Sequence, residues 1–510
     1  MSGGIESLAG AARPADLAAD VCVIGSGCGG ATVARVLAEA GREVVVLEEG
    51  PDRTGLELTQ RDAEMYDQLY MDRGGRSTDD LAISVLSARV LGGGGVINAS
   101  DVVPIPHGVL AHWRRRFGLG ELTDDALAPF AARALEDLSA SRVEEAQINR
   151  ANALLRRGAE RAGLRGEVML HNRVGCQGMG TCLIGCPLNA KRNPRFVAIP
   201  AAVAAGARFF TRARARLIEG ASAEVKAVHV RTLDARGYRE TGELVVRAPI
   251  VIVACNAVAS AELLLRSGLG NAHVGRNLIL QPQLPIVARF AEPVNAFRGI
   301  PQAYAITELE VEDHPEHGLW GSRVEAIMGT PGIVSTLMPF VGRESERMMA
   351  QYDRIAASLL LAPDAPSGHV EAGEHGRPRI RYTHADEHKA RLRAAARVAA
   401  RAYLAAGAIE VLVPCVPPVV VRGERDLSRL DSMSLRPASA PLLSAHQQGT
   451  LRMTGSASSG AVDPDGLVRG TRGVYAMDAS IFPSSASSHT MAPILTMARY
   501  LAEKLAARSG

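Results

Sequence analysis

The sequence predicts an α/β fold, α+β overall, whose parallel sheet starts near residue 20 and is joined by a second, sheet-based unit in the middle of the chain. Three stretches predict it. Residues 20–50 run as an apolar strand, a glycine turn, an Ala-rich helix and a second apolar strand. Residues 250–268 repeat the strand–turn–helix order, from the apolar run 250–255 through NAVASAELLLRSG to a stop at Gly268. Residues 283–415 are less punctuated by glycine and mix strand patterns with a long Ala/Arg helix at 388–407.

In order along the chain, residues 1–19 read as a loose leader. Val21 to Ile24 is a short apolar strand, and Gly25, Gly27 and Gly30 then form G-x-G-x-x-G. Gly25 permits the tight turn, Gly27 lets the backbone approach a pyrophosphate, and Gly30 allows close helix–strand packing. The helix over 31–40 offers free N–H groups to the phosphates at its N-terminus, and Gly41 stops it. After the second strand at 44–47 comes Glu48, about 20 residues beyond the glycines, where a carboxylate accepts hydrogen bonds from a ribose. This context makes a dinucleotide site, where a glycine motif alone would not.

Residues 51–80 are polar and irregular, which suggests a loop over the cofactor. RVLGGGGVINAS at 89–100 follows. Its glycines, Gly92, Gly93, Gly94 and Gly95, let a backbone lie flat against something planar or anionic, and Asn98 adds a side chain that both donates and accepts. Helical patterns fill 108–165, several strands fill 207–253, and VGRNLILQP at 274–282 reads as the exit from the cofactor unit. The acidic stretch ELEVEDHPEH at 308–317 reads as a solvated strand and turn, with a surface for a cationic substrate as the sharper alternative.

The bulk properties set bounds. At 510 residues the chain is too long for one simple core, so two domains, or one large domain with a cap, are expected. A net charge of +3 without a dense Lys/Arg block implies no nucleic-acid partner. No apolar run reaches the length of about 18 residues that reads as a membrane span. The start lacks a basic segment followed by an apolar core, so a cytoplasmic location is the default expectation. Seven cysteines in a chain this long do not read as a disulfide framework.

Three features mark the C-terminal region. His446 opens H-x-x-G-T at 446–450, Asp478 and Ala479 open DASIFP at 478–483, and His489 stands directly before Thr490 and the closing helix. Together with Gly25/Gly27/Gly30, Glu48, the glycine run to Asn98 and VGRN at 274–277, these motifs resemble the glucose–methanol–choline (GMC) family of FAD oxidoreductases, in that family's order and over nearly the whole chain.

The resemblance implies a Rossmann-type FAD-binding domain, over 16–110, 196–282 and 440–510, interrupted by a substrate domain with an antiparallel sheet at 283–415. A helical segment and cysteine loop lie at 111–195. It implies non-covalent FAD held by Gly25, Gly27, Gly30, Glu48, Gly92, Gly93, Gly94, Asn98, Asp478, Ala479 and Thr490, since the loop at 92–98 has no His to tether a flavin. It makes His446 similar to the catalytic base and His489 the second member of the pair, as in glucose-oxidase-like members. The implied reaction oxidises an alcohol CH–OH to an aldehyde or ketone. His446 takes the hydroxyl proton, a role suited to an imidazole with an ordinary pKa of about 6.5, and hydride passes to flavin N5. The N-terminus of the last helix would stabilise the reduced ring. Two positions depart from the family pattern: Cys255-Asn256 replaces a small Ala-Gly turn, and Gln281 stands where many relatives carry His.

Cys176, Cys182 and Cys186 form C-x5-C-x3-C followed by Pro187. A structural loop, an iron–sulfur ligand set, and a zinc or redox-disulfide site all stay open. The cysteine loop leans toward long-chain alcohol oxidase-like relatives. The acidic stretch and scarce aromatics lean toward a primary alcohol of a sugar or aminosugar, as in aminoglycoside-type natural products, with O2 as acceptor. That reading is ranked first. A long-chain alcohol oxidase, a dehydrogenase passing electrons through an iron–sulfur cluster to a protein or artificial acceptor, and a non-redox FAD lyase are the alternatives.

Overall fold

A computed structural model of the chain describes residues 3–12, 15–373 and 377–508. Its organising layer is a six-stranded sheet in the order Gly4–Ser7, Arg208–Thr211, Val44–Glu48, Val21–Ile24, Ile250–Val253, Val474–Ala476, parallel at every pairing. Parallel strands covered on both faces read as continuous apolar runs, and Val21–Ile24 and Val44–Glu48 are buried at every residue. Helix Cys28–Glu39 crosses over from one to the other, and the closing helix Met491–Arg508 packs beside it.

The stretch expected to be a loose leader is part of the fold. Gly4–Ser7 completes the edge of the parallel sheet beside Arg208–Thr211, and Leu17–Ala18 pairs with Val246 and Arg247. Strands of four and two residues at a sheet edge carry too little pattern to read as strand. The region 51–80 is likewise more ordered than expected: Asp62–Leu69 is a helix that buries Met65 and Leu69.

The second layer is a seven-stranded sheet, antiparallel at every pairing, in the order Val419–Val421, Glu410–Val413, Leu284–Arg289, Ile355–Leu361, Arg323–Ile327, Tyr304–Ile306, Gly166–Val168. A mixed α/β fold with a parallel sheet and a separate antiparallel sheet is what the sequence predicts. The outermost strand, Gly166–Val168, comes from the cysteine-loop segment of the chain.

Side chains alternate across a strand, and this sheet uses both faces. Ser358 turns to one side, where its Oγ meets the Tyr403 hydroxyl of helix Asp386–Ala405 at 2.7 Å. Ile355, Ala357, Leu359 and Leu361 turn to the other and line a large cavity between the two sheets. The antiparallel sheet therefore has one face for the core and one for the site.

Candidate functional site

The cavity between the sheets measures about 1280 Å³ and is lined by residues from both of them. Its first end is a cradle of backbone. Gly25 has φ +99, and a Cβ there would sit 2.3 Å from the Ala254 carbonyl oxygen, so no side chain fits the turn. The second glycine loop lies against the first: a Cβ on Gly93 would come within 2.5 Å of the Gly27 Cα. Helix Cys28–Glu39 starts here with Gly27 as its N-cap, no capping side chain and no acid in its first turn. Its N–H groups are left for an anion.

Glu48 stands at the end of its strand, 7% exposed. Its Oε2 accepts from the Ser26 N–H and hydroxyl at 3.2 and 2.6 Å, and its Oε1 accepts from the Gly50 N–H at 2.7 Å. The same Ser26 Oγ accepts from the Gly92 N–H at 3.2 Å, which ties the two glycine loops together. Asn98, Asp478, Ala479 and Thr490 also line this cavity, with Gly94 in the same wall. Gly92 and Gly30 do not line it; a Cβ on Gly30 would meet the Gly25 carbonyl oxygen at 1.9 Å, so its place is helix–turn packing. Asn256, the departure noted in the sequence, has φ +80 and ψ 150, a positive-φ conformation that glycine fills most easily. It caps helix Ala257–Arg266 through Oδ1 to the Val258 N–H at 2.8 Å.

At the far side of the cradle the structure brings His446 and His489 together. Their rings are 5.0 Å apart at 74°. Their partners differ in kind. His446 Nδ1 lies 2.7 Å from Gln281 Oε1. His489 Nε2 lies 2.9 and 3.1 Å from the two oxygens of Glu325, a residue with no solvent exposure. Arg323 Nε is 3.0 Å from the same carboxylate, and the Gln302 amide donates to it. Burial, and then the charge on His489, push His446 down to about 3. Burial also works against a charged His489, but the Glu325 carboxylate and its hydrogen bond outweigh burial and raise it. The two rings are thus pushed in opposite directions: burial favours a neutral His446, and Glu325 favours the charged form of His489.

Sequence reasoning missed Glu325. It lies on an antiparallel strand 164 residues before His489. The one available signal was an acid inside the strand pattern RVEAI, where an unpaired charge would be costly.

Beyond the histidines the cavity becomes an apolar arm. Pro285 and Val287, alternate residues of one strand, join Ile355, Ala357, Leu359 and Leu361 as its floor. Ile327, Met328, Ile333, Val334, Leu337 and Met338 close its side, several of them on the short helix Pro331–Leu337. Asp62 fixes this helix to the parallel half by accepting from the Gly332 N–H at 3.0 Å and from the Thr330 hydroxyl. The acidic stretch 308–317 contributes nothing to the cavity lining; it forms the hairpin Val311–His314 and Gly318–Trp320, packed on helix His107–Phe117.

Cys176, Cys182 and Cys186 gather around one small cavity of about 20 Å³. Among the described residues no group of three or more His, Cys, Asp or Glu side chains is arranged to hold a metal ion. The loop is fastened by Lys191, buried, whose Nζ donates to the carbonyls of Cys182, Val96 and Asn98 at 2.8, 2.6 and 2.9 Å. It buttresses the glycine loop from behind.

A Rossmann-type half and an antiparallel half meet over one glycine-cradled cavity, the arrangement of a dinucleotide-binding fold. Family comparison is more specific. Residues 66–283 match the N-terminal and 364–498 the C-terminal model described as GMC oxidoreductase, and residues 23–78 match an NAD(P)-binding Rossmann-like domain. The chain belongs to the GMC oxidoreductase family. It is 34% identical, over 97% of its own length and 77% of the relative's, to an uncharacterized GMC-type oxidoreductase of Mycobacterium tuberculosis. It is 27% identical to a long-chain-alcohol oxidase of Arabidopsis thaliana, over 96% of this chain and 68% of that one. In fold it is similar to pyridoxine 4-oxidase from Mesorbium loti, with a TM-score of 0.71 at 17% identity over 95% and 98% of the two chains. It is also similar to a formate oxidase of Aspergillus oryzae, with a TM-score of 0.69 at 15% identity over 97% and 99%. No helix among the described residues is long and apolar enough to cross a membrane.

Family and Rossmann-type half together imply FAD, and the residues present fit it: two glycine-rich loops, an uncapped helix N-terminus and a carboxylate at the strand end. Ser26 is the joint between them. Ser26→Ala removes hydrogen bonds to Glu48 and from Gly92, and one bond to a charged group contributes about 1.5 kcal/mol, or roughly tenfold in affinity. FAD titration of the deflavinated protein is expected to show that weakening; unchanged affinity would remove Ser26 from the cradle.

Proposed function

We propose that this protein oxidises an apolar alcohol, at a primary CH–OH, in a non-covalently FAD-dependent reaction. The observation that carries the reading is the position of the histidine pair, where the glycine cradle ends and the apolar arm begins. FAD, when bound, supplies the acceptor for the two electrons of the carbinol C–H bond. Gly25, Gly27, Gly93, Gly94, Glu48, Asn98, Asp478, Ala479 and Thr490 are the residues that would hold it, with Gly30 and Gly92 supporting the two loops.

His446 receives the hydroxyl proton. Its neutrality makes it available as a base, and it gains basicity in the step itself because the negative charge left on the substrate oxygen favours its protonated form. His489, with Nε2 committed to Glu325, turns its other nitrogen to the alcohol oxygen and fixes its orientation. The imidazolium offsets the charge that develops there. The helix that starts at Met491 directs its positive end at the same cavity. The arm holds the rest of the substrate and excludes water.

The apolar lining favours a hydrocarbon chain over an aminosugar. Glu325, the carboxylate on His489, is taken by His489 and Arg323 and does not line the cavity, and Asp101, a buried acid that does line it, is paired with His171. A substrate ammonium group would have no counter-charge in the arm. The long-chain-alcohol oxidases among the relatives support the same direction.

The test is an anaerobic titration of the purified holoenzyme with a fatty alcohol, glucose and an aminoglycoside. The fatty alcohol is expected to bleach the flavin bands, and air to restore them with peroxide formed. Bleaching by the aminoglycoside alone would overturn the apolar reading. Bleaching that persists in air would replace O2 with another acceptor, and no bleaching by any alcohol would favour a non-redox role.

A further inference from the structure

We propose that Gln281 decides which nitrogen of His446 carries the proton, and so makes Nε2 the base; this rests on the role given to His446 above. Two glutamine amides reach the same ring nitrogen. Gln281 Oε1 lies 2.7 Å from His446 Nδ1, and Gln283 Nε2 lies 3.2 Å from it. Nδ1 cannot donate to one and accept from the other in a neutral ring. The second contact of Gln281 resolves the conflict. Its Nε2 faces the Ser487 carbonyl oxygen at 3.4 Å. A carbonyl only accepts, so the amide nitrogen belongs on that side and Oε1 belongs on the side of His446. Nδ1 therefore donates its proton to Gln281, and the lone pair is on Nε2. Gln283 has no comparable anchor for its side-chain amide. A half-turn of that amide offers the same N–H a second oxygen.

The backbone around Gln281 is built to hold this amide still. Gln281 has no solvent exposure and a φ of +48, in the left-handed region disfavoured for a residue with a Cβ. Asp364 keeps it there: Oδ1 accepts from the Gln281 N–H at 2.9 Å and Oδ2 from the Leu280 N–H at 3.1 Å, while the Tyr382 hydroxyl donates to Oδ2. A strained conformation persists only where its surroundings over-determine it, and here the strain aims one side chain at one ring nitrogen.

The choice of an amide over a carboxylate matters as well. A neutral acceptor fixes the tautomer without stabilising an imidazolium in advance, so His446 stays neutral until substrate arrives. In the step, the bond from the substrate oxygen to its proton breaks and a bond from that proton to Nε2 forms. The bond from Nδ1–H to Gln281 is kept throughout. Gln281 is a positioning residue, since it acts only through His446.

The experiment is 15N NMR of ring-labelled histidines in the oxidised holoenzyme, with His446→Ala used to assign the signal. His446 is expected to show a protonated Nδ1 and a bare Nε2. Gln281→Leu should mix or invert that pattern, keep its FAD and slow flavin reduction roughly 10- to 100-fold, the scale known for orienting partners of metal-bound histidines. Gln281→Glu should restore the tautomer, whether or not the Leu variant folds. It should also add an acid limb to the pH profile of flavin reduction, because a carboxylate raises the ring's pKa. A wild-type signal with the proton on Nε2, or a Gln281→Leu enzyme with unchanged tautomer and rate, overturns the proposal. Unimpaired flavin reduction by His446→Ala would overturn the base reading instead, and would leave the tautomer assignment standing.

Discussion

His446→Ala is expected to bind FAD normally and to reduce it with alcohol roughly 10²- to 10⁴-fold more slowly, the range that a positioned base contributes. Retention of FAD follows from the geometry. The glycine loops and Glu48 hold one another through Ser26, and His446 takes no part in those bonds. The loss of rate follows from the chemistry, since an alcohol gives up its carbinol hydrogen slowly while its hydroxyl proton remains. Anaerobic stopped-flow reduction separates the two, because the flavin spectrum reports binding and its bleaching rate reports the step. The pH profile adds a second readout. Burial and the charge on His489 push His446 down to about 3, so its neutral form is complete well below neutrality. Wild-type reduction should therefore show no acid limb near the ordinary histidine value of about 6.5. An acid limb there, or a variant as fast as wild type, would remove His446 from the proton transfer.

What the sequence disclosed and what it hid divide along a physical line. The glycine turn, its helix and Glu48 are legible because their spacing is a local consequence of one strand–turn–helix unit. His446 and His489 were legible as motif positions. Their partners were not: Gln281 and Glu325 come from a turn and an antiparallel strand more than 160 residues away, and only tertiary pairing brings them to the rings. Asn256 looked like an unexplained substitution until its positive φ and its capping bond were visible. The acidic stretch lies in a hairpin on helix His107–Phe117 and outside the cavity lining, a placement the sequence does not disclose because a run of charges carries no information about which face of the molecule it occupies. The apolar arm was hidden for the opposite reason. Ile355, Ala357, Leu359 and Leu361 alternate with Ala356, Ser358 and Leu360, a single polar residue in a buried run, so the pattern says buried strand without saying that one face lines a cavity.

Glu325 also provides the sharpest separation of chemistry from structure. Glu325→Gln removes the anion opposite His489 while keeping size and an acceptor oxygen. Burial, helped by the charge of Arg323 and opposed only by the smaller pull of Asp101, then drives the ring's pKa down and favours neutral His489. The lost imidazolium is expected to slow flavin reduction roughly 100-fold, the scale of removing one preorganised charge-stabilising donor. The fold should tolerate the change better than the usual loss of a buried partner, about 3–5 kcal/mol. Arg323 keeps Glu310 and Glu167 at 2.9 and 3.0 Å, so its charge is not stranded. The sign of the pH effect follows. The folded-state pKa of His489 is raised, so its ion pair stabilises the wild type fully below the ordinary value of about 6.5 and is lost as pH rises through the raised one. Wild-type activity should fall on the alkaline side above that ordinary value, and in Glu325→Gln the alkaline limb should move to lower pH. Glu325→Asp, which keeps the charge, should recover part of the rate and move the limb back. A Glu325→Gln enzyme that loses stability without any shift of its alkaline limb would make Glu325 a purely structural ion-pair partner, and the charge on His489 irrelevant to the reaction.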